Sequence, residues 1–170
     1  MAQEIERKFL VTNDTYKQSA VSHQRIIQGY ISREKTGIVR IRIAEDRAYL
    51  TIKGKPAAGH FARYEWEKEI DVNDAKELIK LCQGTIIDKT RWIVPWQDGL
   101  KWEVDEFHGK YEGLVIAEIE LIREDQDFTK PTFIGEEVTH DPRYYNANMY
   151  ADYSKNIRLI IQDHKKGGSG

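Results

Sequence analysis

Residues 38–54 read IVRIRIAEDRAYLTIKG, a stretch in which charged and apolar side chains take turns. Successive side chains of a β-strand point to opposite faces, so an alternation of period two is the signature of a strand whose two faces differ. Arg40 and Arg42 fall on one face of this stretch, and Ile41 falls on the other. The stretch therefore predicts two consecutive strands, each with one ionic face and one apolar face.

The same alternation recurs along most of the chain, in short segments bounded by turn residues. It predicts eight strands, seven of which have one ionic and one apolar face. Their approximate ranges are 3–10, 24–32, 38–45, 47–54, 61–71, 86–94, 100–107 and 114–123. Helices are the minority, so the pattern favours a β-rich α+β fold built as a barrel or a sandwich.

Three segments have the spacing of amphipathic helices. Apolar residues of one helical face mark 75–82, which Asn73 or Asp74 can cap. A second helix is predicted near 147–162 and a short third over 13–20. A helix of this kind buries its apolar face against another element.

Composition is that of a single globular domain. The chain has 170 residues, 40% of them hydrophobic, and its 26 Lys and Arg against 28 Asp and Glu leave a net charge of −2. We predict one domain over 1–164 and a flexible tail over 165–170 that resembles an added linker. A charge so near neutral argues against a protein that holds nucleic acid or anionic lipid by a bulk positive field.

Three further features concern the setting and partners of the protein. Cys82 is the only cysteine, which excludes an intrachain disulfide and a thiolate metal cluster and favours a reducing compartment. No run approaches the ~20 apolar residues of a membrane span, so we predict a cytoplasmic protein with no membrane partner. Trp66, Trp92 and Trp102 fall on the apolar faces, where they would pack beneath helices and not stack on bases, so no nucleic-acid partner is predicted.

The ionic faces allow two arrangements. In an ordinary antiparallel sheet they would lie in solvent, and the apolar faces would form the core. Alternatively, the sheet closes into a barrel that holds the ionic faces in its lumen, while helices cover the apolar faces outside. The second arrangement accounts better for faces so rich in Arg and in Glu-x-Glu. Its lumen would hold Lys8, Arg40, Arg42, Lys53, Arg63, Lys89 and Arg91 beside Glu4, Glu6, Glu65, Glu67, Glu103, Asp105, Glu118 and Glu120.

Such a lumen requires a ligand that suits both signs of charge. Arg and Lys in number suit an anion with many oxygens, such as a chain of phosphates, but the carboxylates would repel it. A divalent cation resolves the conflict, because Mg²⁺ or Mn²⁺ binds hard oxygen ligands and bridges carboxylate and phosphate oxygens. Glu-x-Glu on a strand places two carboxylates on one face about 6.6–7 Å apart, near enough to converge on one ion from facing strands.

A series of short charged motifs runs along the chain. It begins with Glu4-Ile5-Glu6-Arg7-Lys8, of the form Glu-x-Glu-x-Lys. Seven more follow: Gln28-Gly29-Tyr30-Ile31, Val39-Arg40-Ile41-Arg42, Thr51-Ile52-Lys53, Arg63-Tyr64-Glu65-Trp66-Glu67, Asp88-Lys89-Thr90-Arg91, Glu103-Val104-Asp105 and Ala117-Glu118-Ile119-Glu120. In content and order, over about residues 2–150, the series resembles the CYTH superfamily, the triphosphate tunnel metalloenzymes, and compact bacterial members in particular.

The resemblance implies an eight-stranded antiparallel closed tunnel barrel with a charged lumen and helices packed outside. It also implies a metal-dependent hydrolase of triphosphates, and the short single-domain form favours inorganic tripolyphosphate, cleaved to pyrophosphate and phosphate. Mg²⁺ or Mn²⁺ would be the cofactor, with two ions per active site, and a small anionic triphosphate would be the partner of a monomer or homodimer. The alternatives are a thiamine triphosphatase, nucleoside triphosphatase or adenylate cyclase of the same family, or a non-catalytic module that binds polyphosphate or nucleotide.

Residue roles follow from the resemblance, motif by motif. The phosphates would be bound by Lys8, Arg40, Arg42, Lys53, Arg63, Lys89 and Arg91. The metal ligands would be Glu4, Glu6, Glu118 and Glu120. The catalytic residues would be Lys8, Glu65, Glu67, Lys89 and Asp105, with the carboxylates holding a second metal or orienting the attacking water. A module that only binds anions gains nothing from these carboxylates unless it recruits metal, which favours the enzyme.

Overall fold

The structure, a computed structural model, describes residues 5–34, 37–54 and 64–144. These residues form nine β-strands, two α-helices and three short 3-10 turns. The strands are β1 (Ile5–Val11), β2 (Ser22–Glu34), β3 (Gly37–Ala44), β4 (Arg47–Gly54), β5 (Glu65–Ile70), β6 (Gln83–Pro95), β7 (Lys101–Phe107), β8 (Val115–Leu121) and β9 (Ile134–Glu137). The helices are α1 (Tyr16–Ser19) and α2 (Val72–Ile79), and the 3-10 turns are Gln97–Gly99, Gly109–Tyr111 and Pro142–Tyr144.

All nine strands form one antiparallel sheet in the order β5-β4-β3-β2-β6-β7-β8-β1-β9. The prediction of an eight-stranded closed barrel is therefore wrong: the sheet has a ninth strand, and within the described ranges its outer strands β5 and β9 do not pair. β9 occupies the edge of β1 that β8 leaves open. It has only four residues, IGEE, which are too few to show an alternation in the sequence.

The first predicted helix is confirmed as α2, with a different start. Asp71 is its N-cap, in place of Asn73 or Asp74. The Asp71 carboxylate accepts hydrogen bonds from the backbone N–H groups of Asn73 at 2.8 Å and Asp74 at 3.3 Å. A side-chain cap of this kind stabilises a helix by ~1 kcal/mol.

The remaining predictions concern two helices, the tail and the strand over 61–71. The segment predicted over 13–20 is helical only in the four residues of α1. The helix predicted near 147–162 and the tail predicted over 165–170 lie outside the described residues. The strand predicted over 61–71 is seen as β5, and its first part also lies outside the described residues.

The strand register confirms that the charged residues share one face of the sheet. Residues paired directly across two strands point to the same side. Eight pairs of charged or polar residues meet in this way: Glu6 with Glu120, Lys8 with Glu118, Glu103 with Glu118, Arg91 with Asp105, Gln28 with Arg42, Arg40 with Thr51, Thr51 with Glu67, and Lys53 with Glu65. We call the surface formed by these residues the ionic face.

The opposite face of the sheet carries much of the core. Around β1, β7 and β8, the fully buried Trp102 meets Phe9 edge-on, with ring centroids 5.5 Å apart, and Phe133 packs against the same cluster. Such aromatic pairs contribute ~0.5–1.5 kcal/mol beyond the burial of their area. Around β3 and β4, Ala75 of α2 packs against Ile41. The apolar face is thus covered by α2 and by the chain that follows β8.

The three tryptophans predicted beneath helices differ in burial. Trp102 is fully buried, and Trp92 is partly buried against the same cluster. Trp66 keeps 39% of its surface exposed. It lies on β5, an outer strand with a neighbour on one side only, so fewer residues can cover it.

Apolar side chains occupy one end of the ionic face. Ile116 is paired with Asp105, and Phe107 with Lys89, so both apolar residues point to the same side as the charges. They belong to a buried cluster at the end of the sheet where β7 turns into β8, made of Leu10, Tyr30, Ile87, Phe107, Tyr111, Leu114, Ile116, Val138 and Tyr144. We call this cluster the apolar floor.

Candidate active site

The ionic face lies on the inside of a strongly curved sheet. Glu67 on β5 and Arg91 on β6 line the same cavity of 460 Å³, although three strands separate β5 from β6 in the sheet. Neighbouring strands lie about 4.8 Å apart, so a flat sheet would place these two strands ~19 Å apart. The charged face is therefore concave, as the second of the two predicted arrangements requires, even though the barrel is not closed.

A buried ion cluster lies at the centre of the ionic face. One Asp105 oxygen, Oδ2, lies 2.8 Å from Lys89 Nζ. Both Asp105 oxygens also accept hydrogen bonds from Arg91, at 2.8 Å from Nε and 2.9 Å from Nη2, and Arg91 Nη1 lies 2.8 Å from Glu103 Oε2. Lys89 has no exposed surface, and Asp105 has only 4%. Charges can be buried to this extent only when they are paired.

Burial and neighbouring charges shift the pKa values in this cluster. Desolvation has the largest effect on Lys89 and lowers its pKa to about 8, although Asp105 opposes the shift. Burial alone would raise the pKa of Asp105, but Lys89 and Arg91 outweigh it and hold that pKa well below its usual range. Asp105 therefore stays ionised with both oxygens engaged, which makes it a poor acceptor for a proton from water.

Two further arginines of the ionic face donate hydrogen bonds to residues that orient them. Arg42 Nε donates a hydrogen bond of 2.8 Å to Gln28 Oε1. Arg40 Nη2 donates to Thr51 Oγ1 at 3.3 Å, and that hydroxyl in turn donates to Glu67 Oε1 at 2.8 Å. Arg40 Nη2 also lies 3.8 Å from the same Glu67 oxygen. Both guanidinium groups are thus held in place on the concave face before any ligand binds.

Two lysines of the ionic face form long ion pairs. Lys8 Nζ donates to the backbone oxygen of Tyr144 at 2.9 Å and lies 3.4 Å from Glu118 Oε1. Lys53 Nζ lies 4.0 Å from Glu65 Oε2, at the limit of an ion pair. The two ion pairs, with Glu118 and with Glu65, are long, and long ion pairs contribute little stability.

A second cavity, of 250 Å³, is lined by carboxylates. Glu6, Glu103, Glu118 and Glu120 line it together with the turn between β6 and β7. Oxygen donors of this kind suit hard divalent cations such as Mg²⁺ and Mn²⁺. Among the described residues, no three His, Cys, Asp or Glu side chains converge closely enough to hold a metal ion by themselves. Mg²⁺ is commonly held by one or two carboxylates together with substrate phosphates, and the donor set fits that mode.

Both cavities lie at the same end of the sheet. The larger one adjoins the turn between β3 and β4 through Glu45 and Asp46, and the smaller one adjoins the turn between β6 and β7 through Asp98 and Gly99. In an antiparallel sheet ordered β3-β2-β6, strands β3 and β6 end at the same edge. The apolar floor lies at the other end. The arginines of the larger cavity and the glutamates of the smaller one therefore lie at the same end of the ionic face, which we call the mouth.

Most of the predicted site residues come together on the ionic face. These are Glu6, Lys8, Arg40, Arg42, Lys53, Glu65, Glu67, Lys89, Arg91, Asp105, Glu118 and Glu120. The other two, Glu4 and Arg63, lie outside the described residues. The roles of all of them as metal ligands, phosphate contacts or catalysts remain predictions.

Two neutral residues of the ionic face were not predicted as site residues. Gln28 and Thr51 have no exposed surface, and each is hydrogen-bonded to an arginine. The charge pattern cannot reveal them because neither is charged. The available signal is their position, since each is a polar residue within a strand at the parity of the inward-facing side chains.

Known protein sequences match this one over most of its length. The CYTH domain family matches residues 2–145. An inorganic triphosphatase of Acetivibrio thermocellus is 46% identical over 159 residues, which cover 93% of this chain and 99% of the relative. An inorganic triphosphatase of Nitrosomonas europaea is 36% identical over 149 residues, which cover 86% of this chain and 95% of the relative.

Solved structures show the same fold. The crystal structure of the inorganic triphosphatase NE1496 superposes with a TM-score of 0.71 and 31% identity, covering 90% of this chain and 97% of that one. A protein of Pyrococcus furiosus superposes with a TM-score of 0.53 and 25% identity, covering 72% of this chain and 81% of that one. Separately, the described part of the chain contains no helix long and apolar enough to cross a membrane.

Proposed function

Because the chain belongs to the CYTH domain family, we propose that it is a divalent-metal-dependent phosphoanhydride hydrolase that cleaves inorganic tripolyphosphate to pyrophosphate and phosphate. The observation that carries this proposal is the ionic face, where arginines and carboxylates together line one cavity and four glutamates line another at the same end of the sheet. The relatives named inorganic triphosphatase, at 46% and 36% identity, favour this substrate over other triphosphates.

The partly buried cations of the ionic face would bind the phosphate chain. Arg42 and Arg91 line the larger cavity, and Arg40, Lys53 and Lys8 lie on the same concave face. Phosphoryl transfer demands chiefly positioning and neutralisation of charge. Guanidinium groups suit this task because their paired N–H donors match phosphate oxygens.

Lys89 and Asp105 would position an arginine and would not contact the substrate. Lys89 is fully buried, so it acts beneath the substrate-binding surface. Asp105 holds Arg91 through two hydrogen bonds. We assign both residues to positioning Arg91, while Arg91 itself meets the phosphate.

Divalent metal would be bound by the carboxylates of the smaller cavity. Glu6, Glu118 and Glu120 line it, and Glu4 is proposed as a further ligand. Mg²⁺ or Mn²⁺ suits these oxygen donors, and we propose two ions per active site. When bound, the cation supplies charge neutralisation between the carboxylates and the phosphate oxygens.

Glu67 is the carboxylate best placed to take a proton from the attacking water. It lines the cavity shared with Arg42 and Arg91, and its side chain is 46% exposed. Glu65, two residues earlier on the same strand and 43% exposed, is the neighbouring candidate. As the water oxygen bonds to phosphorus, the proton passes to the Glu67 carboxylate, and the bond to the leaving pyrophosphate breaks.

The setting of the enzyme is part of the same proposal. The lone Cys82 fits a reducing compartment, and we propose the cytoplasm. We propose that it acts on a small anionic substrate as a monomer or homodimer, without a nucleic-acid or membrane partner. Gel filtration with light scattering would decide between the two oligomeric states.

Phosphate release from tripolyphosphate with Mg²⁺, Mn²⁺ or EDTA tests the activity. ATP, thiamine triphosphate and pyrophosphate are assayed beside it, and we expect metal-dependent release that is fastest for tripolyphosphate. Glu6→Gln should lower turnover at least ~100-fold, or about 2.7 kcal/mol. The matched Glu124→Gln, on the exposed chain after β8, should retain wild-type rates. Tight binding of tripolyphosphate without release in any metal would identify a binding module instead.

A further inference from the structure

Gln28 is an uncharged residue in the middle of the ionic face. It lies on β2 directly opposite Arg42 of β3, and its side chain has no exposed surface. Arg42 Nε donates to Gln28 Oε1 at 2.8 Å. Because arginine can only donate, this contact fixes which end of the amide faces it. The amide therefore sets the plane of the Arg42 guanidinium.

The backbone that carries Gln28 is tightly seated on its other side. Gly29 lies so close to its neighbours that an added Cβ would be 2.7 Å from Ile86 Cδ1 and 2.9 Å from both Cβ and Sγ of Cys82. Contacts that short do not occur in folded proteins, so this stretch of β2 has no room for a side chain at position 29. Gln28 is thus presented to Arg42 from a backbone that has little freedom to move.

The neutrality of Gln28 distinguishes it from the residues that hold Arg91. Two carboxylates, Asp105 and Glu103, hold Arg91 and offset its charge. Gln28 orients Arg42 through a comparable hydrogen bond but adds no negative charge. A polyanion is attracted by net positive charge, so an arginine oriented by a neutral amide favours phosphate binding more than the same arginine oriented by a carboxylate would.

The buried amide of Gln28 also lowers the stability of the folded protein. Its Nε2 is buried and has no hydrogen-bond partner within the described ranges. A buried donor without a partner destabilises the folded state, whereas an apolar side chain of similar size would avoid the loss. A residue retained on stability grounds alone would be apolar here, which points to a role for the amide oxygen.

We propose that Gln28 is a positioning residue that orients Arg42 for the phosphate chain without itself adding a negative charge. The inference rests on the proposed function, because it assigns Arg42 to the substrate. It predicts two separable properties of position 28: an acceptor oxygen for Arg42 Nε, and the absence of charge.

The test is a double-mutant cycle between positions 28 and 42. Gln28→Met keeps the length of the side chain and removes the acceptor, and it should lower kcat/KM for tripolyphosphate at least ~10-fold. If the effect passes through Arg42, the double variant Gln28→Met, Arg42→Ala should be no worse than Arg42→Ala alone. Gln18→Met, on the exposed surface of α1, is the matched control and should leave kcat/KM unchanged.

Gln28→Glu tests the second property. It keeps an acceptor for Arg42 but adds a negative charge, so it should raise the dissociation constant of tripolyphosphate at least ~10-fold. That constant is measured by titration calorimetry in EDTA at fixed ionic strength, so it needs no turnover. If Gln28→Met does not fold, Gln28→Glu and this binding measurement still decide the question.

The outcomes separate this inference from the proposed function. Additive losses in the double-mutant cycle, or wild-type binding by Gln28→Glu, would overturn the positioning role. A wild-type protein that binds tripolyphosphate without cleaving any triphosphate would refute the proposed hydrolase, and the binding arm would still test Gln28. A merely structural role would lower Tm in both Gln28 variants and leave KM and the dissociation constant unchanged.

Discussion

Replacing Asp105 with asparagine should destabilise the protein strongly, because the carboxylate is the counter-charge of a fully buried lysine. Asparagine keeps the shape of the side chain but removes the negative charge between Lys89 and Arg91. Lys89 has no exposed surface, so its ammonium must then stay buried with weaker pairing or lose its proton. Removing one partner of a buried ion pair costs ~3–5 kcal/mol of folding stability.

Thermal unfolding at about pH 7 measures this loss. In a chain of this size 1 kcal/mol corresponds to ~2–4 °C, so Tm should fall by roughly 6–20 °C. Asp125→Asn is the matched control, since the Asp125 side chain is 86% exposed and its ion pair with Arg123 spans 3.3 Å. Exposed pairs contribute ~0–1 kcal/mol, so the control should lose no more than ~4 °C.

The pH dependence gives an independent check. The pKa of Asp105 is depressed in the folded protein, so its stabilising effect is present above its unfolded pKa and is lost as the pH falls through the folded value. The pKa of Lys89 is about 8, so above that pH the wild type has no lysine charge to leave unpaired. The Tm difference between wild type and Asp105→Asn should therefore be smaller at about pH 9.5 than at about pH 7, with Arg91 preserving part of it.

Two results would refute this reasoning. A loss of Tm below ~3 °C at about pH 7 would mean that the ion cluster contributes no more than an exposed pair does. A Tm difference that stays constant between the two pH values would mean that Lys89 is not the group left without a partner.

Three further predictions concern binding and acid stability. Arg40→Ala and Arg42→Ala should each lower kcat/KM for tripolyphosphate at least ~100-fold, whereas Lys110→Ala, on the exposed turn after β7, should stay within ~2-fold; similar losses in all three would place the site elsewhere. Tripolyphosphate with a divalent ion that does not support turnover should raise Tm by several degrees, since a ligand at 100 Kd contributes about 2.7 kcal/mol; an equal shift with orthophosphate at matched ionic strength would argue against a cleft shaped for a phosphate chain. The hydrogen bond from Arg7 holds the pKa of Glu137 at about 2, so its stabilising effect should be lost as the pH falls from about 4.5 to about 2; Glu137→Gln should flatten the pH dependence of urea-induced unfolding in that window, and an unchanged slope would contradict the assignment.

Much of the candidate site could be predicted from the sequence because strand parity is a local property. Arg40 and Arg42 are two residues apart, so they share a face whatever the rest of the sheet does. The register of β1 with β8 then pairs Glu6 with Glu120 and Lys8 with Glu118 as the charge pattern requires. Charges on one face of many strands allowed either a solvated sheet face or a concave ionic surface, and the structure has the concave one.

The features that could not be predicted depend on contacts between distant segments. Closure of the barrel requires its outer strands to meet, and the alternation within each strand carries no information on that. β9 is too short to show a period, and it pairs with β1 across more than 120 residues of chain. Gln28 and Thr51 are polar without being charged, so strand parity places them on the ionic face, but only the structure shows their contacts with arginines.

The apolar floor predicts a cleft that opens at one end only. Phe107 and Ile116 are buried at its inner end, so we expect a phosphate chain to enter and to leave by the mouth. A polyphosphate longer than three units could place only its terminal phosphates in the cleft. Cleavage would therefore proceed from the chain ends and not from the middle. Pyrophosphate would also leave past the arginines that bind the substrate. Tighter binding of the substrate would therefore slow the release of the product. Added pyrophosphate should therefore act as a competitive inhibitor, and product departure should limit turnover in the steady state.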